Sequence, residues 1–231
     1  MSDSLARSIA IDGPTASGKS VVGRAVAERL AIGFVDTGLM YRACTLAVLE
    51  AGVDPEHAEA VTALVRALDL DLAWPGELSQ PHAILGGKDV TSHLRTPEIE
   101  RAVSYVSGVP EVRAWLVERQ RLLAARTPIV MAGRDIGTRV LVEARTKIFL
   151  EASSAIRAQR RLGEELDAGR QTNFDRVLEE TRRRDELDNT GHRAITREQA
   201  APDALVIDTD ALGIDEVVER CIDAYRTANG D

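Results

Sequence analysis

The sequence predicts an α/β protein, a five-stranded parallel sheet covered by helices on both faces. Three observations carry that expectation. Short apolar runs alternate with longer amphipathic stretches along the chain, the pattern of strands buried on both sides. The first run, Ser8-Ile9-Ala10-Ile11, feeds a glycine-rich loop and then a helical repeat of Val21, Val22, Ala25, Val26 and Leu30. A length of 231 residues suits one domain with a full core and modest insertions.

The loop is the most specific of these features. Gly13-Pro14-Thr15-Ala16-Ser17-Gly18-Lys19-Ser20 fits G-x-x-x-x-G-K-[ST] at every fixed position. Backbone N–H groups converge on a phosphate only if no Cβ crowds the turn, and Gly13 and Gly18 supply that room. Lys19 is placed to bridge β- and γ-phosphates, and Ser20 to offer a hydroxyl to Mg²⁺. The helix that follows aims its positive end at the anion. The chain is expected to bind a nucleoside triphosphate.

The remaining elements follow in order. Strands are expected at residues 9–12, 33–36, 128–132, 147–151 and 204–208. Helices are expected at 39–51, at 98–107 and 111–125 on either side of Pro110, and at 214–225. In the last helix Ile214, Val218, Cys221, Ile222 and Tyr225 share the face turned to the sheet. Residues 68–94 carry Trp74-Pro75-Gly76, an alternating segment at 82–85 and Gly86-Gly87, and read as small antiparallel strands set beside the main sheet. Residues 154–197 are dense in both charge signs, with a weak apolar stripe and a turn at Ala168-Gly169. They read as helices poorly anchored to the core, a mobile cover for the phosphate site. The expected division is a single domain, 1–231, with core 1–67, 95–153 and 198–231, insert 68–94 and lid 154–197.

Composition narrows the function. A net charge of -8 argues against a nucleic-acid surface. Cys44 and Cys221 fall in apolar helical patterns without metal spacing and read as reduced core residues. There is no apolar run of membrane-spanning length, and residues 1–7 lack a signal-peptide core. A soluble, cytoplasmic protein is expected, and the acidic, aromatic-poor composition suggests a monomer.

A second substrate must be found in other residues. The guanine motif Asn-Lys-x-Asp is missing. Leu205-Val206-Ile207-Asp208 superficially resembles a magnesium-binding strand end, but Asp208-Thr209-Asp210 better suits a turn capping the last helix. Asp36-Thr37-Gly38 ends the second strand where open α/β sheets bind ligand, with Tyr41 and Arg42 in the next helix as contacts for a ribose and a phosphate. The third strand ends in Gly133-Arg134-Asp135-Ile136-Gly137-Thr138. Arg134 can fork onto a phosphate, and Asp135 can accept from an exocyclic amine, the group that separates cytosine from uracil. Arg157, Arg160 and Arg161 share a helix face, as do Arg184 and Asp188. Cations around a moving γ-phosphoryl group are the main device of phosphoryl transfer.

With these residues identified, the chain resembles the bacterial cytidylate kinases over nearly its whole length. Besides the loop and the Asp36 and Gly133 segments, the matching stretches are Arg95-Thr96-Pro97-Glu98, Val109-Pro110-Glu111-Val112-Arg113, Lys147-Ile148-Phe149-Leu150, and Arg184-Asp185 with Asp188. The resemblance implies a P-loop NTPase-like core, a nucleotide-binding insert at 68–94 and an arginine-bearing lid. It also implies transfer of the γ-phosphoryl group of ATP to CMP or dCMP with Mg²⁺. Carried over by position, base reading falls to Ser104, Arg113 and Asp135. Ribose and phosphate contacts fall to Thr37, Tyr41, Arg42, Arg134, Arg184 and Asp188. Lys19, Arg134, Arg157, Arg161 and Arg184 become the catalytic cations.

The sequence departs from the family at two places. Where the family has an arginine three residues beyond the position of Asp188, Asn189-Thr190-Gly191-His192 intervene here before Arg193, which takes that role from a longer loop. Val142-Glu143-Ala144 replaces prolines common after the position of Thr138. Two other readings use the same loop. One keeps the transfer and changes the acceptor to UMP, dTMP or a non-nucleotide small molecule; the other is a nucleotide-responsive binding or regulatory protein that retains the fold without turnover.

Overall fold

Every residue of β1 (Ile9–Asp12) is buried, which demands the centre of a sheet rather than an edge. A computed structural model describes residues 3–74, 76, 80–189 and 196–230 of the chain. Arg193 lies outside the described residues. β1 pairs in parallel with β6 (Ile129–Ala132) on one side and β7 (Thr146–Glu151) on the other. β2 (Gly33–Asp36) and β8 (Leu205–Asp208) complete the sheet, in the order β2-β6-β1-β7-β8 with every pairing parallel.

Alternation along the strands builds two apolar layers. Ile9, Ile11, Phe34, Val130, Ala132, Ile148 and Leu150 face α2 (Lys19–Leu30) and α9 (Ile214–Asn229). Ala10, Val35, Ile129 and Met131 belong to the opposite layer, with α3 (Gly38–Glu50), α4 (Ala58–Arg66), α5 (Pro97–Gly108) and α6 (Pro110–Arg126). Burying each branched side chain contributes roughly 1.5–3 kcal/mol, so the doubly covered centre dominates stability. Val109 takes an extended backbone (φ -70, ψ 118) ahead of Pro110 and separates α5 from α6. The short α1 (Asp3–Arg7) and α4 were not expected. The cap of α4 is His57, whose Nδ1 accepts from Ala60 N at 3.2 Å, an uncommon cap that leaves little signal in a sequence.

The insert forms as expected. β3 (Leu70–Ala73), β4 (His82–Leu85) and β5 (Lys88–Asp89) make an antiparallel sheet, and the turn between β4 and β5 is Gly86-Gly87, both at positive φ (56 and 76).

Three expectations need correction. The lid helices α7 (Ser154–Asp167) and α8 (Phe174–Asn189) pack on one another and bury Ala158 and Val177. Their ties to the core are ion pairs and polar bonds rather than apolar area, and the weak apolar stripe gave no hint of those ties. Ile214 is 56% exposed, and Val217 takes the buried place on α9 instead. The segment Asp208-Thr209-Asp210 does not cap α9, whose N-cap is Gly213 without a side-chain bond. Asp210 Oδ1 instead accepts from Ser153 N at 2.9 Å, fixing the start of α7.

Candidate active site

At the carboxyl end of β1 the chain turns through Gly13 at φ 145. A Cβ there would stand 2.3 Å from the Leu150 carbonyl oxygen on β7, so only glycine fits. The loop then delivers α2 at Lys19, and Lys19 Nζ donates to the Pro14 carbonyl at 2.5 Å. Burial first, and the positive charge of Arg134 second, push the Lys19 ammonium down to about 7, against the pull of Asp36 and Asp12. Asp12 has a role the sequence did not suggest. Its Oδ1 and Oδ2 accept from Ile136 N at 2.7 Å and Gly137 N at 2.8 Å, which tie the segment after β6 to β1. Burial raises its carboxyl to about 6, although both amide bonds act to lower it.

Ser20 Oγ donates to Asp36 Oδ2 at 2.7 Å, and Asp36 Oδ1 accepts from Gly38 N at 2.9 Å. Among the described residues no group of three His, Cys, Asp or Glu side chains gathers to hold a metal. Two hard oxygen donors at the end of a phosphate loop fit Mg²⁺ that arrives on a triphosphate and keeps its waters.

The loop opens on a cleft of about 460 Å³. Thr15, Ala16, Gly18, Lys19 and Ser20 form one wall. Thr37, Tyr41, Arg42, Ser104, Arg113, Arg134, Asp135, Arg161 and Arg184 line the rest. Gly13, Pro14 and Ser17 are buried behind that wall. The described residues of the insert do not line this cleft. The insert meets instead a smaller hollow of about 150 Å³, where Gln80, His82 and Thr91 approach Arg24 and Arg95.

Elsewhere on the cleft wall, Arg113 pairs with buried Asp135, donates to the Ser107 carbonyl at 3.2 Å and lies 5.7 Å from the centre of the Tyr41 ring. Ser104, on the same helix as Ser107, borders the cleft beside them. Arg and Asp at this wall form a donor and acceptor pair suited to a planar polar ring. Thr37 is buried, and its hydroxyl donates to the Ala132 carbonyl at 2.9 Å.

The lid supplies cations unequally. Arg161 borders the cleft, with Glu165 at 3.7 Å. Arg184 borders it as well and donates to Glu100 at 2.8 Å. Arg157 is buried outside the cleft wall. It donates to both carboxylate oxygens of Asp185, at 3.0 and 2.5 Å, and to the carbonyls of Thr15 at 3.3 Å and Ala152 at 3.1 Å. Arg160 is spent on Thr209. The three arginines expected on one face therefore take different partners: Arg157 meets the loop and α8, Arg160 meets Thr209, and Arg161 meets the cleft and Glu165. Asp188 is buried against Arg134, which also donates to Thr15 Oγ1. Cys44 and Cys221 are free and buried, and burial raises both thiols to about 12, so neither is a nucleophile.

Sequence reasoning missed Asp12, Glu100 and Ser107. Asp12 directly precedes Gly13 at a strand end, a position that could have marked it. Glu100 and Ser107 gave no signal beyond their place on a helix.

The chain is similar over most of its length to proteins of one family. A cytidylate kinase of Corynebacterium glutamicum is 46% identical over 215 residues, covering 93% of this chain and 92% of that protein. One of Mycobacterium leprae is 44% identical over 225 residues, covering 96% of each. An uncharacterised protein of Eubacterium ventriosum shares the fold, with a TM-score of 0.53 at 13% identity over 95% of this chain and 97% of that one. The family model described as cytidylate kinase matches residues 9–227, which spans the loop, the Asp135 wall and the lid together, and the chain belongs to that family.

Proposed function

We propose that this chain transfers the γ-phosphoryl group of ATP to CMP or dCMP, giving ADP with CDP or dCDP. One observation carries the reading: a triphosphate loop and the Arg113–Asp135 pair line a single cleft bordered by lid arginines. An oxygen of the acceptor phosphate attacks the γ-phosphorus as the bond to the β–γ bridging oxygen breaks. That nucleophile is already anionic, so no side chain need remove a proton, and the work is positioning and charge stabilisation.

The loop amides of residues 13–20 grip the polyphosphate, and Lys19 neutralises charge on the γ-group. Arg134, which bonds Thr15 on the loop and Asp188 on the lid, joins the two halves and offers a guanidinium fork to the transferred group. Arg161 and Arg184 approach from the lid, while Arg157 holds the lid to the loop and acts through position. Ser20, with Asp36 nearby, would hold the Mg²⁺ that arrives on ATP, and the ion would supply neutralisation of phosphate charge. On the acceptor side, Asp135 with Arg113 and Ser104 reads the cytosine edge. Thr37, Tyr41, Arg42 and Asp188 frame the sugar and phosphate. A closed lid excludes water, so the phosphoryl group passes to the acceptor rather than to solvent.

A coupled assay of ADP release with CMP, dCMP, UMP and AMP tests this. Turnover is expected with CMP or dCMP and weakly with UMP, and equal rates with UMP would remove Asp135 from base reading. Asp135→Ala is expected to raise the KM for CMP about tenfold or more and to narrow the gap to UMP.

A further inference from the structure

Arg42 stands on α3 in the core and Arg184 on α8 in the lid, yet one side chain holds both. Glu100 on α5 accepts from Arg42 Nε through Oε1 and from Arg184 NH1 through Oε2, each at 2.8 Å. The three side chains are mostly buried, with 16% of Arg42, 18% of Glu100 and 14% of Arg184 exposed. Two guanidinium groups brought this close out of water repel one another unless an anion lies between them. The carboxylate therefore removes the main electrostatic obstacle to seating α8 on α5.

The arrangement also keeps both forks usable. Among the described residues each guanidinium donates one hydrogen bond to Glu100 and none elsewhere, and the buried Arg184 Nε has no partner. Gly38 leaves room for the Arg42 guanidinium, because a Cβ there would stand 2.7 Å from Arg42 NH1. Two fixed guanidinium planes with unspent N–H groups suit a tetrahedral oxyanion.

We propose that Glu100 is a positioning residue of the acceptor-phosphate site, holding the core arginine and the lid arginine at a phosphate-matched spacing before the acceptor arrives. The inference rests on the reading of Arg42 and Arg184 as acceptor-side contacts. With the pair assembled in advance, less of the acceptor's binding energy goes to ordering α8. Loss of Glu100 then falls on the acceptor's KM and spares that of ATP.

Two variants separate the contributions. Glu100→Gln keeps the size and removes the charge; Glu100→Asp keeps the charge and shortens the reach. Glu100→Gln is expected to raise the KM for CMP about tenfold while the KM for ATP stays within about twofold, with a smaller rise for Glu100→Asp. In the ligand-free protein, amide hydrogen exchange across α8 is expected to quicken in Glu100→Gln. An unchanged KM for CMP would overturn the proposal, and a lower one would show that the carboxylate competes with the acceptor phosphate. Unchanged exchange in α8 would overturn it as well. If Glu100→Gln fails to fold, Glu100→Asp carries both measurements. Should the unmodified chain turn over no CMP, the proposed activity fails, and the exchange of α8 still decides whether Glu100 holds the lid.

Discussion

Arg134 donates to Thr15 Oγ1 on the phosphate loop and pairs with Asp188 on the lid, so one planar fork links the loop to the lid, as the proposed transfer requires. A lysine keeps the charge at this position and loses the fork. Arg134→Lys is expected to lower kcat by about a hundredfold or more with smaller changes in either KM, since the missing contacts matter most when charge spreads in the transition state. Steady-state kinetics against both substrates would check this, and an unchanged kcat would remove Arg134 from the reacting centre. Arg134, Asp135, Lys19 and Ser20 were legible in the sequence because each lies at a strand end or at a fixed place in a loop, where neighbours in sequence define the geometry. Asp12 and Glu100 were not. Asp12 works by accepting amides 124 and 125 residues away. Glu100 joins side chains 58 and 84 residues away, and no local pattern encodes such meetings.

Helices α7 and α8 show the same limit one scale up. Their existence was legible from helical spacing and charge, and the strands were legible from short apolar runs. The anchoring of the lid was not, because it resides in buried ion pairs that a hydrophobic stripe does not reveal. The Arg157–Asp185 pair ties α7 to α8 and both to the loop carbonyl of Thr15. Replacing one partner of a buried pair strands the other and costs roughly 3–5 kcal/mol. Asp185→Asn is therefore expected to loosen the lid rather than the sheet. Hydrogen exchange should quicken in α7 and α8 and leave β1, β6 and β7 protected, with kcat reduced. Joint replacement by Arg157→Met and Asp185→Leu is expected to recover stability without recovering activity. Uniform deprotection of the sheet in Asp185→Asn would show that the pair supports the whole fold and not the lid.

For the molecule as a whole, the charge network makes stability depend on acidity in a definite direction. Burial acts to raise the Glu100 carboxyl, but Arg42 and Arg184 on either side overcome it and hold it at about 2, below its ordinary 4.5. A carboxylate held low in the folded state binds fewer protons there than in the unfolded chain. Its contribution, on the order of 3 kcal/mol, is present in full above pH 4.5 and lost as the pH falls toward 2. Asp12 acts in the opposite sense. Raised by burial from 3.8 to about 6, it favours the folded chain below pH 3.8, and that contribution is lost as the pH rises through 6. Urea unfolding of the unmodified chain, Glu100→Gln and Asp12→Asn between pH 3 and 7 separates the two groups. The stability difference between the unmodified chain and Glu100→Gln should stay flat from pH 7 to about 5 and shrink below 4.5. The difference for Asp12→Asn should change between pH 4 and 6 with the reverse slope. A Glu100→Gln difference constant down to pH 3 would mean that the two arginines do not hold this carboxylate charged, and the electrostatic link between lid and core would have to be sought elsewhere.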